Sequence, residues 1–179
     1  MRQLLFLMVL LFLCACSATA QDVQGVYPTT HQSEVGAGFT YLRFYEVPNT
    51  TLNNAGFTLS GAYYLRDWLG VDVEFTDTFE RQSGQYGQHV FGGGGARLRW
   101  PASKNLQLWI HALGGGAYLS PKTAYGDQSA LGYEAGAGID VSRHRSRIAV
   151  RLSADIVGTR FFGTYQFSPK VSAGVVYRF

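Results

Sequence analysis

The sequence predicts an all-β fold, an eight-stranded antiparallel up-and-down transmembrane β-barrel. Three observations carry that expectation. First, residues 170–179 alternate strictly: Val171, Ala173, Val175, Tyr177 and Phe179 are apolar or aromatic, while Lys170, Ser172, Gly174 and Arg178 fall between them. Period two puts apolar atoms on one face of a strand and polar or small ones on the other, and about ten residues suffice for a tilted strand to cross a bilayer. Second, the same pattern recurs in seven earlier segments. Third, the connections alternate long and short, which collects every long loop at one rim and both barrel termini at the other. A soluble sandwich with crossover connections has no reason to segregate its loops in this way.

The composition is compatible with this. The chain has 179 residues, 46% hydrophobic and 15% aromatic, with 22 glycines, enough for one domain. Residues 1–20 read as a secretory signal peptide, with Arg2 as the charged region and residues 4–13 as the apolar stretch. Ala18, Thr19 and Ala20 form the small-x-small cleavage site. Leu13, Cys14, Ala15 and Cys16 also resemble a loose lipoprotein box, which would lipidate Cys16; the Ala20 site fits better. Both cysteines lie in this segment, so the mature chain has no disulfide or thiolate metal site. Of 15 Lys+Arg and 12 Asp+Glu, only Arg2 would be removed, leaving 14 against 12. A net charge near +2 does not point to nucleic acid. No run of 18 apolar residues follows residue 20, so a mature membrane protein would have to span with strands.

The elements follow in order. Residues 21–32 are polar, hold Pro28 and show no period, as a flexible lead-in would; the barrel is residues 33–179. Strand one, 34–44, turns Val35, Ala37, Phe39 and Tyr41 to one face and Glu34, Gly36, Gly38 and Thr40 to the other; Leu42 and Arg43 break the pattern. Strand two, 55–65, puts Ala55, Phe57, Leu59, Gly61, Tyr63 and Leu65 outward. Strand three, 68–76, alternates most cleanly, with Leu69, Val71, Val73 and Phe75 opposed by Gly70, Asp72, Glu74 and Thr76. Two carboxylates at that spacing could not face lipid cheaply. Strand four, 89–100, directs His89, Phe91, Arg97 and Arg99 inward. Strand five is 105–118 and strand six 131–142, whose inward side includes Glu134 and Asp140. Strand seven, 147–157, places Arg147, Arg151, Ser153 and Asp155 inward, and strand eight is 170–179. The predicted long loops are 45–54, 77–88, 119–130 and 158–169; the short turns lie at 66–67, 101–104 and 143–146. Aromatics gather at predicted strand ends, Tyr45, Phe57, Phe75, Phe79, Tyr118 and Tyr133 at one rim, and Tyr63, Tyr64, Trp68, Trp100, Tyr177 and Phe179 at the other. Two such belts are the expected interfacial girdles.

The signal peptide, the eight alternating strands, the short turns against long loops and the terminal Tyr177, Arg178 and Phe179 resemble the small outer-membrane β-barrel families. The OmpA transmembrane domain and OmpX are the general types. The resemblance is architectural and covers the whole mature chain. It implies residence in the bacterial outer membrane, outer-membrane lipid as surroundings, and a monomer. It also implies that Tyr177 and Phe179 form the signal read by the barrel-assembly machinery. No peptidoglycan-binding domain of the OmpA kind follows.

The inward charges are the first candidate for chemistry: Asp72, Glu74, Arg97, Arg99, Glu134, Asp140, Arg147, Arg151, Asp155, Lys170 and Arg178. An eight-stranded barrel has an interior just wide enough for side chains to fill. These residues therefore read as a neutralised ion-pair core, with Asp72–Arg97 and Asp155–Lys170 as expected pairs, rather than as the wall of a selective pore. The expected role is non-enzymatic, structural or in surface interaction through the long loops, with a small-solute channel as the alternative. No catalytic residue, cofactor or metal is assigned. His144 and Ser146 flank Arg145 as in the His-x-Ser of outer-membrane lipid A deacylases, but no Glu follows Glu134 and the pair falls in a short turn. His89 and His111 stand singly and without metal-ligand spacing. The glycine runs 92–95 and 114–116 lack the Lys and Ser/Thr of a phosphate loop and read as wall curvature. The segment 159–165, with Arg160, Phe161, Phe162 and Tyr165, reads as a loop that binds a partner or glycan, as a plug over the mouth or, as preferred here, as an upward extension of strands seven and eight.

Overall fold

The computed structural model describes residues 32–45, 51–82, 85–120, 126–143 and 146–179. Eight strands run β1 Ser33–Tyr45, β2 Thr51–Tyr64, β3 Leu69–Gln82, β4 Gln85–Pro101, β5 Leu106–Ser120, β6 Gln128–Ser142, β7 Ile148–Thr159 and β8 Gln166–Arg178. Each pairs antiparallel with the next, and β1 pairs with β8 from Glu34↔Arg178 to Leu42↔Lys170, so the sheet closes into a barrel in sequence order. Closure leaves no edge, so the ladder satisfies the strands' backbone groups without water. The expected signal peptide, its two alternative cleavage sites and most of the lead-in lie outside the described residues. Gln32, placed with the lead-in, already accepts a backbone hydrogen bond from Tyr64 N–H at 2.7 Å.

The sidedness is that of a membrane barrel. Val71 and Val73 are 48% and 38% exposed on the outside, whereas Glu74 and Asp140 on the opposite face are 8% and 0% exposed. Phe39, Leu59, Ile110, Val150, Leu152 and Val175 extend the apolar outer surface around the cylinder. In water such a coat would be costly, and charges on that side would be costly in lipid.

The strands are longer than their periodicity predicts. β3 and β4 pair as far as Gln82↔Gln85, leaving only residues 83–84 as the link where a loop over 77–88 is predicted. β2 starts at Thr51, β5 ends at Ser120, β6 starts at Gln128 and β8 at Gln166, so each predicted long loop is partly strand. In these extensions the inward face stays buried but carries polar residues, Asn54, Thr78, Thr159, Gln166 and Ser168, beside Leu119. Alternation then fades, while the ladder still supplies the backbone with partners. Conversely Leu65 and Trp68, predicted in strands two and three, form the turn between β2 and β3, closed by Leu65 N–H and Arg66 N–H to Leu69 O at 2.9 and 3.0 Å.

The glycine runs meet each other across one ladder, Gly92↔Gly116, Gly93↔Gly115 and Gly94↔Gly114. The inward members have a steric reason: a Cβ at Gly115 would run into the Gly92 carbonyl, and one at Gly95 into the Ala112 carbonyl. The outward Gly114 and Gly116 have open space where a Cβ would lie.

Candidate functional site, the filled lumen

The interior is layered from the short-turn end to the loop end. In the first layer Trp109, 2% exposed, stands between the guanidinium groups of Arg97 and Arg151, 4.3 and 4.8 Å from its ring. Its indole N–H donates to Asp140 Oδ1 at 3.1 Å. Arg151 also donates to Asp140 through Nε and Nη2, both at 2.8 Å, and Arg178 Nη2 donates at 2.6 Å. Glu34 Oε1 collects Arg97 Nη1 at 2.7 Å, Arg151 Nη2 at 2.6 Å and the Tyr64 hydroxyl at 3.1 Å. Arg99 lies 3.3 Å above the Tyr64 ring and donates to the Asp67 carbonyl at 2.9 Å. Tyr64 therefore faces the lumen, 3% exposed, and not the interfacial belt in which its position is predicted.

The second layer is joined to the first through Asp72. Arg97 Nε and Nη2 reach Asp72 Oδ2 at 2.9 and 2.7 Å, and His111 Nδ1 lies 2.8 Å from the same oxygen. His111 Nε2 is 3.0 Å from Asp155 Oδ1 and 3.6 Å from Glu134. Lys170 Nζ donates to Glu74 and, at 2.5 Å, to Glu134, and lies 3.6 Å from Asp155. A hydroxyl ladder then runs around the wall: Thr76 donates to Glu74 at 3.0 Å, Thr76 and Thr58 are 2.8 Å apart, Thr58 and Thr40 2.5 Å, and Thr40 and Ser172 2.8 Å. These hydroxyls give the carboxylates and each other partners that a dry interior demands.

Six carboxylates (Glu34, Asp72, Glu74, Glu134, Asp140 and Asp155) thus share the lumen with five cations (Arg97, Arg99, Arg151, Lys170 and Arg178), all buried. With a proton on each ring nitrogen, His111 donates to two carboxylates and makes the count six against six. Glu74, His111 and Glu134 offer ligand atoms within 4.8 Å of one another, a spacing open to a metal ion. The cation there is Lys170, whose ammonium bridges the two glutamates.

The third layer is apolar. Leu42, Phe44, Phe91, Leu113, Ala117, Leu119, Val157 and Phe161 form one buried cluster inside the barrel, toward the loop end. Phe161 belongs to a short 3-10 turn, Phe161–Gly163, between β7 and β8. Gln166 holds that turn: its Oε1 accepts from Phe161 N–H at 3.0 Å and its Nε2 donates to the Phe161 carbonyl at 3.2 Å. Phe161 and Phe44 meet edge-on at 6.0 Å, and the His89 ring packs 5.2 Å from Phe44 and 6.1 Å from Phe161. Within 159–165 only Thr159 is strand, since β7 ends there and β8 begins at Gln166; the segment is therefore not the expected upward extension, and Phe161 instead turns back into the buried cluster at the mouth as a plug.

Of the residues predicted to face inward, Asp72, Glu74, Arg97, Arg99, Glu134, Asp140, Arg151, Asp155, Lys170 and Arg178 are buried in the lumen. Arg147 is not: it is exposed in the turn before β7, because the strand begins at Ile148 and the alternation no longer orients the residue before it. Glu34, Tyr64, Trp109 and His111 were missing from that set. Glu34 shares the face of Gly36 and Gly38, and Trp109 and His111 share a face of β5, so parity alone could have assigned them. Tyr177 and Phe179 lie on the outer surface, 40% and 39% exposed, with ring centroids 5.3 Å apart. His144 and Arg145 lie outside the described residues. Ser146 is a turn lock, its Oγ accepting from Ile148 N–H at 3.1 Å and donating to the Ile148 carbonyl at 3.0 Å.

No protein-family profile matches the chain, and no curated protein matches it. Solved structures do. Neisserial surface protein A (NspA) superposes with a TM-score of 0.71 at 15% identity, covering 83% of this chain and 97% of that one. Ail, the attachment invasion locus protein of Yersinia pestis, in complex with the heparin analogue sucrose octasulfate, gives 0.59 at 19% identity, covering 82% and 97%. The N-terminal β-barrel domain of Pseudomonas aeruginosa OprF gives 0.53 at 13% identity, covering 82% and 98%. At such identities the likeness concerns the fold. By fold, then, the chain is similar to the small eight-stranded outer-membrane β-barrels.

Proposed function

We propose that the protein is a non-enzymatic integral outer-membrane barrel whose interior is a stabilising core, and whose interactions are made by its rims and loops. The observation that carries this reading is the stacking of two closures in one narrow lumen. The Phe161 plug sits at the loop end, and beneath it the Lys170 and Trp109 layers are locked by ion pairs. A cavity beside Ser60, Glu74, Arg97, Ser153 and Ser172 measures about 30 Å³, room for one or two waters and not for a solute path.

The channel alternative requires a continuous wet route, and the apolar layer interrupts it. Catalysis through Ser146 requires a free hydroxyl, and that hydroxyl is tied to Ile148 at the short-turn rim. Binding of a sulfated glycan, which the Ail complex brings to mind, requires a basic loop rim. Here the described residues at that rim carry Arg43, Arg81 and Arg160 against Asp77, Glu80 and Asp127, three of each sign.

Planar-bilayer recording of the refolded protein tests the reading. A silent membrane, with heat-modifiable gel mobility proving that the barrel is folded, is the expected result. Stable stepwise ion flow would overturn it in favour of a channel.

A further inference from the structure

The charges outside the lumen are divided unevenly between the rims. At the short-turn end, among the described residues, Arg66, Lys104, Arg143 and Arg147 are all exposed, against one exposed acid, Asp67. The loop end is balanced, as described above, and the lumen is close to neutral. The net positive charge of the barrel is therefore concentrated on its short-turn rim.

The rim also sets the depth of these cations. Arg66 and Trp68 share one turn, and Lys104 follows Trp100 by four positions. Trp68 and Trp100 are 51% and 42% exposed, with Tyr63 at 47% and Tyr177 at 40% alongside them on the outer face. Amphipathic rings of this kind settle at headgroup level. The turns that carry the charges are tied by backbone hydrogen bonds, Ser103 N–H to the Leu106 carbonyl at 3.0 Å and Ser146 N–H to the Arg143 carbonyl at 2.8 Å. Arg66, Lys104 and Arg143 are thus carried by tied turns at the same end of the barrel as the exposed Trp68 and Trp100.

We propose that the short-turn rim is a docking surface for the phosphate headgroups of anionic phospholipids in the leaflet it faces. The inference rests on the membrane reading given above. Several cations concentrated at one level favour an anionic over a zwitterionic headgroup by about fivefold per charge close to the surface. The preference weakens with ionic strength, because exposed charges are screened.

The test uses the full barrel in phosphatidylcholine bilayers doped with spin-labelled phosphatidylglycerol or spin-labelled phosphatidylcholine. The motionally restricted fraction of each label is read by electron paramagnetic resonance. The wild type is expected to retain phosphatidylglycerol about fivefold or more over phosphatidylcholine at low salt. Added salt should reduce the ratio, and the R66Q/K104Q/R143Q variant should bring it to about one. The control variant R43Q/R160Q, at the other rim, should leave it unchanged. A ratio of one in the wild type, a ratio unaffected by the triple substitution, or one lost in the control would overturn the proposal. Displacement by millimolar inorganic phosphate would also overturn it, by assigning the cations to a soluble anion. Heat-modifiable mobility, measured on every sample, separates these outcomes from failure to insert, which would instead count against the membrane reading.

Discussion

Replacing Lys170 with methionine is expected to destabilise the barrel by about 3–5 kcal/mol. The side chain is 1% exposed, and its ammonium bridges Glu74 and Glu134 with Asp155 3.6 Å away. Methionine replaces much of the aliphatic stem, so lost packing is the smaller term. The larger one is electrostatic: three buried carboxylates lose their shared cation and are left with each other and His111. Were the lumen a water-filled pore, the same substitution would resemble loss of a surface pair, worth about 0–1 kcal/mol. The two pictures differ enough to be told apart by reversible urea unfolding in lipid vesicles, followed by tryptophan fluorescence. Adding Glu134→Gln to the Lys170→Met background should recover a substantial part of the loss, because it removes one of the stranded charges. The double-mutant cycle measures that coupling directly. A loss below about 1 kcal/mol, or one indifferent to Glu134, would refute the dry ion-pair core.

Three further substitutions probe the wall and the plug. Gly115→Ala is expected to cost about 1–3 kcal/mol, because its methyl would meet the Gly92 carbonyl, while Gly114→Ala, with nothing within 4 Å of its Cβ, should stay within about 0.5 kcal/mol; equal effects in urea titrations would contradict the assigned sidedness. Phe161→Ala should lower stability by about 2–3 kcal/mol, yet leave planar bilayers silent, because the Lys170 and Trp109 layers still close the lumen beneath it. Stepwise conductance in that variant would make Phe161 the gate of a channel.

Much of this protein was legible in its residues. Period-two alternation in 69–76 and 170–179 states which side chains face lipid and which face inward. A one-residue slip would move every one of them to the wrong side, so the register is strongly specified. The pairing of Asp72 with Arg97 followed from the same reasoning, and the structure places Arg97 Nη2 2.7 Å from Asp72 Oδ2. Lys170 shows where that reasoning thins. Its expected neighbour Asp155 is present at 3.6 Å, but its closer partners are Glu74 and Glu134, which lie on β3 and β6. Cross-strand register predicts contacts along the wall; it is silent on which long side chains meet across the axis.

The sequence by itself determined the barrel, its sidedness and the charged character of its interior, because each strand must match a lipid surface residue by residue and carries that constraint in its own alternation. Only the tertiary structure decided the layering of the lumen, the joining of Glu34, Trp109 and His111 to the ion network, and the turning of Phe161 into the mouth. Those contacts depend on how tilted strands far apart in sequence converge on a common axis, a geometry that exists only once β1 and β8 have closed the sheet.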